Sequence, residues 1–318
     1  FVSLGAYLCM FPQLIAGPIV VYSDIRDALK KRSISAYGLD NGLKTFIIGL
    51  GYKVIIANRI GTLWNEVCMI GYESISTPLA WLGAFAYSMQ LYFDFCGYSL
   101  MAVGLGEMLG FHMPANFRHP YMARSVTDFW RRWHITLGAW FREYVYIPLG
   151  GNRNGTASQM RNLAIVWFLT GLWHGAYWNF VLWGLYYGAL LVLEKFFLLR
   201  VLKKLPGWCR SVYTLLLTMT GWCVFSCQDM NDSAAYLRAF FFRADAGLFC
   251  TQDAYLLWSN AGLFLLAVIG CTSLAKRAAL AVLPKSDFAG IAYIAAVFAA
   301  SLAMLVSSSY NPFLYFRF

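Results

Sequence analysis

Charged residues are scarce in this sequence. Of its 318 residues only 13% are charged and 60% are hydrophobic, whereas soluble domains carry about 25% charged and about 45–50% apolar residues. Acidic residues are the rarer kind, and the net charge is +10. The basic residues cluster in short loops between apolar runs, as membrane topology requires. The composition therefore argues against a soluble domain, and we expect no nucleic-acid partner.

Several common motifs are also missing. None of the eight cysteines belongs to a C-x-x-C pair, so the sequence predicts no metal site. Neither G-x-x-x-x-G-K-S/T nor G-x-S-x-G occurs, which leaves nucleotide hydrolysis and serine-esterase chemistry without a motif. Sustained alternation of apolar and polar residues is absent, which disfavours strands.

Long uncharged runs are present instead, and a helix needs roughly 20 residues to cross a bilayer. They cover residues 74–90 with their flanks, 162–193, 211–228, 254–275 and 288–316. A weaker run at 43–60 contains Lys53, and residues 1–23 are broken by Pro12 and Gly17. The sequence therefore predicts an all-α, multi-pass integral membrane protein, one domain over residues 1–318, with about six to eight membrane segments.

The loops differ in charge, which predicts topology. Residues 195–210 and 276–285 are basic, and residues 228–254 are mixed, so the first two are expected in the cytoplasm and the third outside. Residues 118–161 are rich in arginine. Either residues 162–193 leave and re-enter on one side, or residues 118–161 dip into the membrane around a cavity. We favour the second account, because a buried active site needs a cavity.

His174 lies inside the uncharged run 162–193. A titratable group at membrane depth is costly, which makes it a functional candidate, and histidine suits proton transfer near neutral pH. Helical spacing predicts Thr170 and Trp178 on its face, with Asn179 as a candidate hydrogen-bond partner. Gly175 leaves room for a substrate. The alternative is a structural histidine bonded to a neighbouring helix.

His134 follows Arg131, Arg132 and Trp133. Arginine forks suit phosphates, including those of a nucleotide-bearing acyl carrier. The alternative is a belt of tryptophan and arginine at the membrane interface.

The remaining polar features have structural interpretations. Asp94 and Glu107 are expected to pair with nearby arginines. His112 and His119 are expected in a loop. The Gly150-Gly151 pair predicts a turn with positive backbone angles.

Six sequence elements together resemble the membrane-bound O-acyltransferases (the MBOAT family), and within it the bacterial alginate O-acetylation (AlgI) branch. They are FPQLIAGP (11–18), QLYFDFCGY (90–98), NF (116–117), DFWRRWH (128–134), YIPLGGN (146–152) and LWHGA (172–176). The tail FLYFRF (313–318) is similar to that branch as well. Family members usually carry more sequence before the first element, so we expect that an N-terminal portion is missing here.

The resemblance implies a fold and a reaction. The fold is a ring of membrane helices around a central tunnel with re-entrant segments, in the bacterial inner membrane. The catalytic residues fall on His174 and His134, and Arg131, Arg132, Trp133, Trp173 and Asn179 are candidates for contact with the donor or substrate. No cofactor is expected to stay bound. The donor is acetyl-CoA or another acyl thioester, and the acetyl group passes to an extracytoplasmic acetyltransferase partner and then to an exopolysaccharide.

Other functions stay open at this point. Within the family, the D-alanyl transferase of teichoic acid modification shares the two-histidine pattern, and O-acetylation of peptidoglycan is a further alternative. From another class, a transporter would place buried His and Arg along a solute path, although we find no internal repeat of the kind many transporters show.

Overall fold

The computed structural model describes residues 1–13, 17–241, 251–274 and 287–307. Every regular element within these ranges is a helix, which confirms the all-α prediction. The chain opens with short elements, as expected from Pro12 and Gly17. They are α1 (Val2–Leu8), a 3-10 turn (Phe11–Gln13) and α2 (Tyr22–Lys30).

The longest helices follow and pack through glycines. They are α3 (Ala36–Gly51), which continues through a π-helical turn (Tyr52–Ala57) into α4 (Asn58–Ile70), and α5 (Thr77–Met108). A Cβ atom on Gly42 would lie 2.6 Å from the Gly104 carbonyl oxygen, and one on Gly49 would lie 2.6 Å from that of Gly97. Because only hydrogen fits between backbones this close, the two glycine pairs set the spacing of α3 and α5.

A buried ion pair joins the same helices. Lys53 Nζ lies 2.5 Å from Asp94 Oδ1, and both side chains are largely buried. The expectation of arginine partners is wrong for Asp94, whose ion pair is with this lysine from a helix far away in sequence. It is also wrong for Glu107, which accepts a 3.0 Å hydrogen bond from Asn41.

Residues 109–154 contain only short helices joined by irregular backbone. They are a 3-10 turn (Pro120–Met122), α6 (Val126–Trp130), α7 (Ile135–Phe141) and a π-helical turn (Arg142–Tyr146). His112 and His119 lie outside the helices, as predicted. The main-chain N–H of Arg118 donates to the Arg132 carbonyl at 2.9 Å, which holds two stretches of this segment side by side.

The apolar run over residues 162–193 forms a hairpin of two helices, α8 (Gly155–His174) and α9 (Trp178–Leu193). A Cβ atom on Gly171 of α8 would lie 2.5 Å from the Phe180 carbonyl oxygen, and Gly184 of α9 faces the main chain of Trp167. These contacts show that the two helices run antiparallel and nearly touch.

The turn of the hairpin corrects one prediction. Gly175 ends α8 with a φ of +153°, a conformation open to glycine. His174 is therefore the last residue of one helix, and Trp178 begins the next. The expectation that both share one helical face is wrong, whereas Thr170 does lie one turn before His174 on α8.

The remaining helices follow a π-helical turn (Glu194–Leu198). They are α10 (Leu199–Leu202), α11 (Gly207–Ser226), α12 (Met230–Phe240), α13 (Thr251–Ser259), α14 (Ala261–Cys271) and α15 (Asp287–Ser307). The predicted loop at 276–285 and the tail at 313–318 lie outside the described residues, as do residues 14–16 and 242–250.

Few of the described helices meet the length and hydropathy expected of a membrane span. Two do, Ala36–Ile70 and Phe288–Ser307, and α13 with α14 forms a third if their 57° bend lies within one span. The expected count of six to eight is not reached on this measure. The reason is partly length, since α9 has only 16 residues, and partly the polar first turns of α8 and α11.

An aromatic core joins the hairpin to the irregular middle segment. Trp183 of α9 and Trp222 of α11 stack with ring centroids 5.9 Å apart. Trp130 of α6 meets Trp167 of α8 edge-on at 4.7 Å. Since α6 leads into His134 and α8 ends at His174, this core fixes the two histidines relative to each other.

Candidate active site

His134 lies in the short connection between α6 and α7, and its side chain is only 6% exposed. Its φ of 44° is left-handed, a region in which non-glycine residues are uncommon but histidine is enriched several-fold. Backbone held in such a conformation costs roughly 1–3 kcal/mol and persists where the surroundings enforce it. The surroundings here aim the imidazole into the interior.

The enforcing partner of His134 is Asn116, which is itself buried. The Asn116 side-chain oxygen lies 3.1 Å from His134 Nδ1 and also accepts from the hydroxyl of Thr136 at 3.0 Å. The Asn116 carbonyl accepts from the Ile135 N–H at 3.0 Å. One asparagine therefore holds the backbone and the ring of this turn together.

His174 approaches the same place from the end of α8. Its ring lies 5.1 Å from that of Trp183 and 5.1 Å from that of Phe225, edge-on to both. The Trp173 ring stands 4.9 Å from the His174 ring and 6.1 Å from the His134 ring. The structure thus brings the two histidines, far apart in sequence, close to one tryptophan.

Both histidines line one small cavity of about 30 Å³, together with Thr170 and apolar or aromatic side chains. About two water molecules would fill this volume, since each needs roughly 10–15 Å³. We call this space the reaction cavity. Its size suits a hydroxyl and a small acyl group between two imidazoles.

A larger cavity of about 480 Å³ adjoins the first. The two share Trp130, Trp133, His134, Leu137 and Thr170 as a common wall. The larger one, which we call the vestibule, is also lined by Arg131, Arg142 and Lys195, and no carboxylate is among the described residues that line it. Three cations in a wall without carboxylates favour an anionic ligand.

The predicted arginines take different positions. Arg131 is exposed and lines the vestibule. Arg132 instead forms a 2.9 Å ion pair with Asp128 and is not part of the vestibule wall. The geometry therefore favours Arg131 over Arg132 as a contact for a donor.

The other three candidate residues also differ in burial and in position relative to the cavities. Trp133 is buried and belongs to the wall shared by both cavities. Trp173 is 43% exposed beside both imidazoles. Asn179 is buried and its Nδ2 donates to the Phe225 carbonyl at 3.2 Å, which ties α9 to α11.

Sequence reasoning missed Glu194, a fully buried carboxylate. One of its oxygens accepts from the Val126 N–H at 2.7 Å, and the other accepts from the N–H and the hydroxyl of Thr127 at 2.8 and 2.7 Å. These bonds attach the end of the hairpin to the first turn of α6. An acid at the end of an apolar run is the signal that would have identified it.

The role of Asn162 was also not identified from the sequence. Its Nδ2 donates to the carbonyls of Leu149 and Gly151, both at 3.0 Å. These bonds hold the turn at Gly150 and Gly151, whose φ angles of 95° and 57° confirm the predicted positive values. The turn lies next to the vestibule, which Asn152 lines.

A helical protein with two histidines at a buried cavity, beside a cation-lined vestibule, has the features of a membrane group-transfer enzyme. The model of MBOAT, the membrane-bound O-acyltransferase family, matches residues 1–232. The chain therefore belongs to this family: it is a membrane protein and an O-acyltransferase. The transporter interpretation is set aside.

Named relatives differ in what they act on. The chain is 35% identical to the probable alginate O-acetylase AlgI of Pseudomonas putida, over 100% of this chain and 69% of that protein. It is 37% identical to a peptidoglycan O-acetyltransferase of Helicobacter pylori, over 75% of this chain and 46% of the relative. It is 32% identical to a teichoic acid D-alanyltransferase of Bacillus subtilis, over 60% of this chain and 51% of the relative.

Proposed function

We propose that this O-acyltransferase passes an acetyl group from a cytoplasmic thioester donor toward an exported polysaccharide, with alginate as the first candidate. The observation that carries the proposal is the reaction cavity, which His134 and His174 line together. The similarity to alginate O-acetylase over the whole chain supports the choice of acetyl group and acceptor.

The vestibule is the expected entrance for the donor, which we take to be acetyl-CoA or another acyl thioester. Arg131, Arg142 and Lys195 suit the phosphates of such a donor. Lys195 also begins the basic loop 195–210, which the positive-inside rule places in the cytoplasm. Charge and topology therefore point to the same side of the membrane for the donor.

The reaction is an acyl transfer between sulfur and oxygen. The acceptor hydroxyl oxygen attacks the thioester carbonyl carbon, the C–S bond breaks, and the sulfur leaves as a thiol. His174 takes the hydroxyl proton, a step that typically contributes 10²–10⁴-fold in rate, and a proton returns to the sulfur. The aromatic walls exclude water, which would otherwise hydrolyse the thioester.

The location and the partner belong to the same proposal. The protein is expected to span the bacterial inner membrane several times, with its helices around a tunnel and residues 118–193 partly re-entrant. The acetyl group is then handed to an extracytoplasmic acetyltransferase that modifies the polysaccharide. The irregular backbone of residues 109–154, which helps to line both cavities, supports the re-entrant arrangement.

Acyl transfer in reconstituted membranes tests the proposal. Vesicles with wild type, His174→Ala, His134→Ala or His112→Ala receive labelled acetyl-CoA, and label leaving the donor is measured. We expect transfer by wild type and by the His112 control, an exposed loop residue. We expect losses of about 10²–10⁴-fold for the two histidines that line the reaction cavity, with normal insertion. Unchanged transfer by His174→Ala would end the proposal.

The acceptor requires a separate measurement, because relatives with other acceptors are nearly as similar. Mass spectrometry of the cell envelope with and without the gene shows which polymer loses its acyl groups. Loss of O-acetyl from an exopolysaccharide supports the proposal. Loss from peptidoglycan, or loss of D-alanine from teichoic acid, would replace it with the function of the corresponding relative.

A further inference from the structure

Asn116 forms a hydrogen-bond network whose direction can be read from its partners. The side-chain oxygen of Asn116 lies 3.3 Å from the Thr136 main-chain nitrogen, 3.0 Å from the Thr136 hydroxyl and 3.1 Å from His134 Nδ1. The Ile19 N–H donates to the same hydroxyl at 3.0 Å. The network therefore runs from Ile19, the residue after the first motif, to the imidazole.

The hydrogens of Ile19, Thr136 and His134 in this network have one consistent arrangement. A main-chain N–H can only donate, so the Asn116 atom that faces the Thr136 nitrogen is the oxygen and not the amide nitrogen. The Thr136 hydroxyl accepts from Ile19 and therefore has its own hydrogen free for Asn116. Because the Asn116 oxygen only accepts, His134 Nδ1 must carry a hydrogen. A neutral imidazole has one N–H, so Nε2 of His134 holds a lone pair.

We propose that Asn116 is a positioning residue that keeps the proton of His134 on Nδ1 and leaves Nε2 free to accept a proton at the wall between the two cavities. This inference rests on the proposed acyl transfer and assigns a role within it. A neutral His134 of this tautomer has no N–H to offer the donor carbonyl, so it does not hold that oxygen.

The position of His134 suits a relay. His134 lines both the reaction cavity and the vestibule, whereas His174 lines only the reaction cavity. The hydroxyl proton moves to His174 as the C–O bond forms, then to Nε2 of His134, and then to the sulfur as the C–S bond breaks. Both histidines end the cycle in the protonation state in which they began it.

Nitrogen-15 NMR of histidine-labelled protein tests the tautomer without any turnover. The chain has only four histidines, so substituting them one at a time assigns the signals. We expect His134 to be protonated at Nδ1 in wild type, and to lose this preference in Asn116→Leu. A wild-type spectrum with the hydrogen on Nε2 would overturn the proposal.

Steady-state kinetics test the consequence. Asn116→Leu keeps the approximate size but removes the acceptor. We expect kcat to fall roughly 10- to 100-fold, the loss typical when a metal-bound histidine loses the partner that orients it. The donor KM should stay unchanged. Asn116→Asp restores an oxygen acceptor and should recover most of kcat, whereas a purely packing role would favour the leucine. Asn65→Leu, the same change at an exposed position of α4, should behave as wild type.

The outcomes separate this inference from the proposed function. A normal kcat in Asn116→Leu refutes the positioning role. A wild-type protein that transfers nothing from acetyl-CoA, yet shows the Nδ1 tautomer lost in Asn116→Leu, would refute the proposed donor and support the assignment of the proton.

Discussion

Glu194→Gln should destabilise this protein although it leaves the shape of the side chain unchanged. An ionised carboxylate accepts at both oxygens, and here both oxygens receive main-chain N–H groups, those of Val126 and Thr127. A carboxamide has one oxygen and one NH₂ group. Whichever way it turns, one buried N–H of α6 faces another donor.

The magnitude follows from that single unpaired group. A buried donor left without an acceptor costs about 1–3 kcal/mol, so Glu194→Gln should lower the free energy of unfolding by about that much. Glu194→Ala leaves both N–H groups without this acceptor and should lower it by about twice as much. At about 2–4 °C per kcal/mol, the value for chains of 150–250 residues, the glutamine variant should lower Tm by roughly 2–12 °C. Thermal unfolding in detergent measures this difference.

The control is Glu143→Gln, the same change at an exposed position, which should leave Tm unchanged. A Tm for Glu194→Gln equal to that of wild type would refute the reasoning, because the variant preserves size and burial and removes only one acceptor oxygen. A second readout is acyl transfer. We expect it to fall in Glu194→Gln even at low temperature, since α6 leads directly into the turn that carries His134.

Two further predictions concern helix packing. Gly171→Ala should destabilise the hairpin by about 1–3 kcal/mol, because its Cβ would lie 2.5 Å from the Phe180 carbonyl oxygen. The control in thermal unfolding is Gly262→Ala, whose Cβ would meet nothing within 4 Å. Equal losses of stability in the two variants would contradict the packing argument. Lys53→Met should cost roughly 3–5 kcal/mol by removing the lysine partner of the buried Asp94 carboxylate. The double variant with Asp94→Leu should recover much of that loss, and a double variant no more stable than the single would contradict an ion pair.

The sequence was most informative where a single residue type decides local geometry. Long uncharged runs predicted helices, and Gly150-Gly151 predicted positive φ. The helix break at Gly175 was not predicted, because a glycine inside an apolar run is equally compatible with close helix packing. That ambiguity produced the wrong placement of Trp178.

Partners distant in sequence were the second source of error. The pairing of Lys53 with Asp94, and of Glu194 with the start of α6, depends on which helices become neighbours. Local spacing carries no information on that choice. Asn116 illustrates the same limit within the site. It was visible as part of a motif, but its bond to His134 exists only because residues 116–118 lie beside residues 132–135.

Because the backbone at His134 is left-handed, the residue at position 134 must meet two separate requirements. One is chemical and concerns the ring; the other is conformational and would apply to any residue there. Alanine meets neither requirement, so the activity of His134→Ala reflects both the lost imidazole and a strained main chain. Asparagine tolerates this conformation well, so His134→Asn removes the ring alone. Comparison of the two variants separates what the turn requires from what the reaction requires.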